Sequence, residues 1–390
     1  MIRAFLITVI AMVNINCANN KMIHTREGIE KIEWSVAAML PSEDGIKEQP
    51  GVAGPITGII DDHLIIAGGA NFPDGMPWRG AKKIYQDDIY IFEKRNGQIV
   101  NGSVHKQKLP QPIAYCASVT TSEGIVYIGG ENENGISDKV VLIKYKGTAN
   151  EIQFSNLPSL PLSLTVLSAL CHDDIIYVAG GNAAEGNSDK FFSLDLSTPN
   201  EGWKTLPAIP VKISFAVMLV QSNGDHDCIY LIGGRRKNSN GISDIFNSVY
   251  QFDLKDQQWK QKQSLPYAVS AGTGIAIHSN HIVLLGGDKG ETFSKEEKIN
   301  VAIKNEKDEV KNKQLVAEKI ALLESHAGFT SNVLVYNTID DTWKKINELP
   351  AGSPVTTTAL KWNNDIIIAS GEIKAGIRTP KILMGKIVEP

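Results

Sequence analysis

Ile366-Ile-Ile-Ala-Ser-Gly371-Glu372-Ile-Lys-Ala-Gly-Ile-Arg378-Thr379 is an apolar, strand-like run that breaks at a glycine and at once presents a carboxylate and a guanidinium. Five earlier runs share its shape: Ile65-Ile-Ala-Gly-Gly69, Val126-Tyr-Ile-Gly-Gly130, Ile176-Tyr-Val-Ala-Gly-Gly181, Ile229-Tyr-Leu-Ile-Gly-Gly234 and Ile282-Val-Leu-Leu-Gly-Gly287. Their final glycines stand 61, 51, 53 and 53 residues apart, and Gly371 follows 84 residues later. A period of about 50 residues across a whole chain marks a repeat architecture with one large insertion.

Each period carries the same parts. After the glycine run come a polar loop and a second alternating strand: Asp88 to Phe92, Val140 to Tyr145, Phe191 to Asp195, Val249 to Asp253 and Val333 to Tyr336. A Trp before a Leu-Pro closes most units, as in Trp34/Leu40-Pro41, Trp203/Leu206-Pro207, Trp259/Leu265-Pro266 and Trp343/Leu349-Pro350; two units keep only Leu109-Pro110 and Leu157-Pro158. Four short strands per period with turn residues between them match a propeller blade of the kelch type. The last period runs out after Pro380 to Gly385, while Ile32-Glu-Trp-Ser-Val36 has no blade of its own. Pairing the two gives an all-β, six-bladed propeller closed by its N-terminal strand, with no open sheet edge between the termini. The propeller is expected over residues 30–390, with a charged helical insertion at 290–327 in the fifth blade. Within it, Leu315, Ile320, Leu322 and Leu323 predict an apolar stripe over Lys313 to Glu324. That insertion reads either as a solvated cap or as a wall of a binding site.

An apolar fraction of 42% with 21% charged residues describes a globular chain, and a formal charge of −4 gives no reason to expect nucleic acid as a partner. Arg3 and the apolar Ala4 to Val13 read as an export signal over roughly the first 20 residues, too short to span a bilayer. The expected location is the periplasm or, lipid-anchored, the envelope. Cys17 stands where a lipoprotein acceptor would, although Asn14-Ile-Asn lacks the small residues usual before one, so cleavage and acylation both stay open. Cys116, Cys171 and Cys228 are odd in number and far apart, which suits buried free thiols better than a disulfide framework.

In a four-stranded up-and-down blade all six post-glycine loops open on one face, around the central channel. Ala70, Glu131, Asn182, Arg235, Asp288 and Glu372 follow the glycines directly, with Asn71, Arg79, Arg236 and Arg378 close behind. Acids and bases converging on one funnel suit a polar, anionic small molecule. His24, His63, His105 and His172 are scattered without ligand spacing, so neither a metal nor another cofactor is expected. There is no nucleophile elbow or phosphate-binding loop.

Gly371-Glu372-Ile-Lys-Ala-Gly-Ile-Arg378-Thr379 resembles the Gly-Glu-x-Lys-Pro-Gly-Leu-Arg-Thr segment of the bacterial N-acetylneuraminate epimerases, or sialic acid mutarotases, which are kelch propellers. The resemblance extends through Gly51-Val-Ala-Gly-Pro with Ala67-Gly-Gly-Ala-Asn71, Ala114-Tyr115 with Ile128-Gly-Gly-Glu131, and Gly233 to Ile242 with Phe246-Asn247. It covers nearly the whole mature chain in rotated order, like the family's cyclically permuted branch. Ala375 replaces a Pro of the key segment, and Ile113 stands where the family has an Arg before Ala-Tyr. The resemblance implies an isomerase that interconverts the α and β anomers of N-acetylneuraminate. Glu372 would then be general acid and base and Arg378 the carboxylate holder, with Asn71, Arg79, Glu131 and Arg236 as weaker binding residues. The alternatives are a mutarotase for another sugar and a non-catalytic kelch propeller that binds a glycan or a protein.

Overall fold

The computed structural model describes residues 28–42, 49–102, 107–147 and 151–390. The expected leader over residues 1–20, with Cys17, and the histidines at 24 and 105 lie outside the described residues. Six four-stranded antiparallel sheets follow one another along the chain. Blade 1 comprises Ile56–Ile60, His63–Ala67, Ile89–Arg95 and Gln98–Asn101. Blades 2 to 5 start with the inner strands Ala117–Thr121, Ser168–His172, Val217–Ser222 and Thr273–Ile277. Blade 6 takes Ala359–Trp362, Asp365–Ala369 and Lys381–Val388 from the C-terminus and its outermost strand, Lys31–Met39, from the N-terminus. That strand pairs antiparallel from Lys31↔Val388 to Met39↔Lys381.

The blades are held to one another by apolar side chains. Buried clusters join successive blades: Ile65 and Ile91 meet Tyr127 and Ile143 between blades 1 and 2, and Val126 and Leu142 meet Ile176 and Leu194 between blades 2 and 3. The cluster joining the last blade to the first contains Ile367, Ile382, Leu64, Ile66 and Phe92. The tryptophans stitch the rim: Trp203, Trp259 and Trp343 each donate an indole N–H to a carbonyl of the preceding repeat, Pro158, Pro207 and Gln263, at 2.8, 3.0 and 3.0 Å. Each half-buried indole thus satisfies its one donor while packing its rings.

At the axis the blades are joined by their backbones. Gly54, Tyr115, Val166, Phe215, Ala271 and Thr356 all take a left-handed conformation, with φ between 48° and 64°. Each N–H donates to the carbonyl of the next member, from Gly54→Thr356 at 2.8 Å through Thr356→Ala271, Ala271→Phe215, Phe215→Val166 and Val166→Tyr115 to Tyr115→Gly54 at 2.9 Å. The six bonds close on themselves. For β-branched Val166 and Thr356 this conformation is strained, at roughly 1–2 kcal/mol per residue, and persists because the ring determines it.

The glycine pairs sit just outside this ring. A side chain on Gly130, at φ 94°, would place its Cβ 2.3 Å from Cys116 Sγ, so the position accepts only glycine. Blade 6 has Ser370 in place of a first glycine; it adopts φ 57°, and its hydroxyl accepts from Val52 N–H at 2.8 Å and donates to Thr379 O at 2.7 Å.

The insertion in blade 5 forms two helices, α1 (Glu291–Asn305) and α2 (Glu309–Glu324). The stripe expected over 313–324 falls within α2, where Leu323 is buried and Asp308 caps the N-terminus. α1 docks through the buried Ile299 and through a polar contact: buried Glu297 accepts from Ser243 N–H and Oγ–H at 2.7 and 2.9 Å. Cys116, Cys171 and Cys228 are free thiols.

If the seam between the termini holds the ring shut, Ile32→Ala, at a site only 1% exposed, should lower unfolding free energy by about 2–4 kcal/mol, as for any core isoleucine. Chemical denaturation measures this, and a loss under about 1 kcal/mol would show that the N-terminal strand does not secure the propeller.

Candidate functional site

Each residue following a glycine run forms an antiparallel bridge with the residue just before a ring member: Ala53↔Ala70, Ala114↔Glu131, Thr165↔Asn182, Ser214↔Arg235, Ser270↔Asp288 and Val355↔Glu372. Six positions distant in sequence are thereby set around one axis. Five of them, all but Ala70, line a cavity of about 430 Å³. Tyr115, Val166, Phe215, Ala271 and Thr356 of the ring border both this cavity and a channel below it of about 560 Å³. The ring is therefore the floor of the site. Phe72, Pro77, Trp78 and Lys83 wall one side; Thr292, Phe293 and Glu296 of α1, with Leu323, His326 and Phe329, wall another. The helical insertion is a wall of the cavity.

Glu372 and Arg378 face each other across a short hairpin in which Glu372–Lys374 pairs with Ile377–Arg378. Arg378 Nη1 lies 3.4 Å from Glu372 Oε1, Nε donates to Ala70 O at 3.3 Å, and the guanidinium covers the Phe72 ring at 4.6 Å. Glu372 Oε1 also accepts the Gly376 N–H at 2.9 Å. The Arg378 side chain is 4% exposed and that of Glu372 23%, so the carboxylate is the more accessible partner. The hairpin is braced from the other end of the chain: Gly371 N–H donates to Val52 O at 2.8 Å, and a Cβ on Gly51 would meet Thr379 O at 2.2 Å. Gly51 and its neighbours thus pack directly beneath Arg378.

Glu131 accepts from Lys83 Nζ at 2.6 Å and Tyr85 Oη at 2.8 Å. The Lys83 ammonium lies 4.8 Å from the Tyr85 ring and 5.0 Å from that of Tyr115. Burial first, and then the bond to Glu131, holds the Tyr85 phenol well above its ordinary value. Burial likewise pushes the Tyr115 phenol up, with Arg378 and Lys83 drawing it back.

Across the cavity, the Arg235 guanidinium lies between two aromatic rings, 4.1 Å from the centroid of Phe215 and 4.2 Å from that of Phe293. Burial lowers its pKa from the usual very high value, while Asp288, Glu297, Glu372 and Glu296 pull it back up.

Of the six residues singled out by sequence, the cavity gathers Glu372, Arg378 and Glu131. Asn71 is buried in a structural role, donating to Gly51 O at 3.0 Å and accepting from Gln86 at 2.9 Å. Arg79 is an exposed rim residue that pairs through Nε with Glu324 of α2 at 3.0 Å. Arg236 pairs with Asp244 at 2.7 Å away from the cavity lining, because neighbours on a strand point to opposite sides and its neighbour Arg235 takes the inward side. Ile113 is wholly buried in the core between blades 1 and 2. Tyr115 was noted only as part of a resembling segment and given no role, and Lys83 and the aromatic walls were not assigned to the site, since their loops carry no repeat signal.

The histidines scattered in sequence include one that the fold brings into a cluster. At the end of blade 4 away from the glycine pair, donor atoms of His226, Cys228 and Asp253 lie within 4.8 Å of one another. Burial pushes the Cys228 thiol up to about 11. Asp253 Oδ1 accepts two backbone N–H groups at 3.0 Å, which makes the cluster a braced turn.

A family profile described as N-acetylneuraminate epimerase matches residues 15–152 and 157–389. Among curated relatives, an N-acetylneuraminate epimerase of Haemophilus influenzae is 26% identical over 229 residues, 59% of this chain and 59% of that protein. One of Salmonella typhi is 26% identical over 231 residues, 58% of this chain and 57% of that protein. The matched stretch thus spans less than two thirds of these relatives.

Because the folded state holds the phenols of Tyr85 and Tyr115 neutral, their contribution to stability is present below the unfolded value of about 10 and is lost as pH rises from there. In an ultraviolet titration, Tyr85→Phe and Tyr115→Phe should each remove one late-titrating phenol. Loss of a phenol with an ordinary midpoint would show that the hydroxyl is not enclosed.

Proposed function

From a chain that belongs to the N-acetylneuraminate epimerase family, we propose an enzyme that interconverts the α and β anomers of a free sugar acid, N-acetylneuraminate or a close relative. The observation that carries this proposal is the Glu372–Arg378 hairpin, with its accessible carboxylate on the wall of a cavity of about 430 Å³. A cavity of that volume suits a single sugar.

Anomer exchange opens a cyclic hemiketal and recloses it on the other face. A proton leaves the anomeric hydroxyl, the bond from the anomeric carbon to the ring oxygen breaks, and a proton reaches that oxygen; closure reverses these steps after the carbonyl rotates. No net proton is gained or lost, so one carboxylate that accepts and returns a proton suffices. Glu372 takes that role. Gly376 N–H and Arg378 hold its Oε1 at 2.9 and 3.4 Å and leave Oε2 for the substrate. The substrate carboxylate, next to the reacting carbon, calls for a guanidinium fork, and the sequence pattern assigns that fork to Arg378. The aromatic walls keep the site partly dry, which strengthens each of these electrostatic contacts. An export signal, as read over roughly the first 20 residues, would place this enzyme where free sugar acid is met before uptake. Among the described residues no helix is long and apolar enough to cross a membrane.

Freshly released α-N-acetylneuraminate, followed by proton NMR, should reach its anomeric equilibrium faster with this protein than without it. Glu372→Gln should lower the added rate by about 10²- to 10⁴-fold with the fold intact. An unchanged spontaneous rate with the wild-type protein would remove this substrate, and an undiminished rate in the variant would remove Glu372.

A further inference from the structure

We infer that Arg235, held between Phe215 and Phe293, is the residue that captures the substrate carboxylate, and that Arg378 instead positions Glu372. This assignment rests on the proposed sugar-acid substrate and changes which side of the cavity binds its charge.

The two guanidinium groups differ in what they have left to offer. Arg378 already spends Nε on Ala70 O and Nη1 on Glu372, has Phe72 against one face, and is almost wholly enclosed. Its bonds fix the hairpin on which the proton-transferring carboxylate sits. Arg235 makes no side-chain hydrogen bond and no ion pair within 4.0 Å among the described residues, although Asp288 and Glu296 line the same cavity. Two aromatic rings with centroids about 4 Å from its guanidinium carbon restrain the group without using any of its N–H donors. A planar fork already fixed in orientation is the arrangement that a carboxylate bonds with two parallel N–H···O contacts, at little further entropic cost.

Position agrees with this role. Arg235 and Glu372 occur in the same ring of post-glycine residues and line the same cavity. They stand two blades apart, on either side of Asp288, so the carboxylate and the hydroxyl on one anomeric carbon can be met by Arg235 and Glu372 at once. Ile113, buried in the core, supplies no competing charge. Phe293 comes from α1, so the insertion itself helps to build the anion fork.

The test compares N-acetylneuraminate with its methyl ester, which keeps the anomeric hydroxyl and loses the charge. Arg235→Gln should raise KM for the acid by about 30-fold or more, as removal of one partner of an enclosed charge pair does, with kcat changed little and the ester unaffected. Arg235→Lys, which keeps the charge without the fork, should fall between. Arg378→Lys should lower kcat for acid and ester alike. Equal losses on acid and ester in Arg235→Gln, or no loss on the acid, would overturn the assignment. If the wild-type protein accelerates no anomer exchange, calorimetric binding of the unsaturated glycal analogue, which keeps the carboxylate and lacks the anomeric hydroxyl, separates the two claims. Wild-type binding that Arg235→Gln weakens at least tenfold sustains the fork even though the proposed activity fails; unweakened or undetectable binding overturns it.

Discussion

Six backbone hydrogen bonds, closed head to tail around the axis through residues of left-handed conformation, are the constraint on which the rest of the molecule depends. Apolar faces alone would let six twisted sheets slide against one another, because hydrophobic attraction is non-directional. The ring removes that freedom: each member fixes the height and angle of its blade, and the bridge beside it fixes the residue after the glycine run. Strain at Val166 and Thr356 is tolerated because no member can relax without breaking two bonds of a closed circle. Strained backbone of this kind clusters at functional sites, and here it forms the floor of the candidate site.

The site built on that floor is chemically divided. One side holds an acid and a base locked to each other in a hairpin, pinned from beneath by Gly51 and Val52. A second side holds Glu131 with Lys83 and Tyr85, an arrangement whose charges are already satisfied. A third holds a cation between aromatic rings. Two insertions add the walls, so the repeat supplies the polar ring and the irregular segments supply the enclosure. The same economy explains how segments near opposite termini can form one hairpin support: in a closed propeller the ends of the chain are neighbours whichever blade they fall in.

The blade count, the closing strand and the ring of post-glycine residues were legible in the sequence because each rests on repetition: six glycine-ended runs, a recurrent Trp, a stray first strand. Glu372 and Arg378 stood apart from the other post-glycine residues through the resemblance of their segment to the epimerase family, and the structure brings the two together in one hairpin. Arg235 was named among the ring positions, but Arg236 was preferred as a helper, since the loop does not show which of two adjacent arginines turns inward. The axial ring left no trace, because Tyr115, Val166, Phe215, Ala271 and Thr356 are not residues that announce positive φ. The helical insertion over 290–327 was legible as a whole, but only its second half was singled out by an apolar stripe; α1 combines the buried Ile299 with a polar contact from Glu297 to Ser243, which periodicity does not reveal. Asn71 was misplaced because a polar residue after a glycine can as well serve the backbone as a ligand.

One contact at the rim joins the two insertions directly: Arg79, beside Trp78, pairs with Glu324, beside Leu323. Both side chains are well exposed, 63% and 43%, so the pair contributes about 1 kcal/mol at most and weakens as ionic strength rises. The two walls are therefore fastened by a bond comparable with thermal energy. A tie that weak leaves the spacing of the two insertions, and with it access to the cavity floor, open to the salinity of the surroundings.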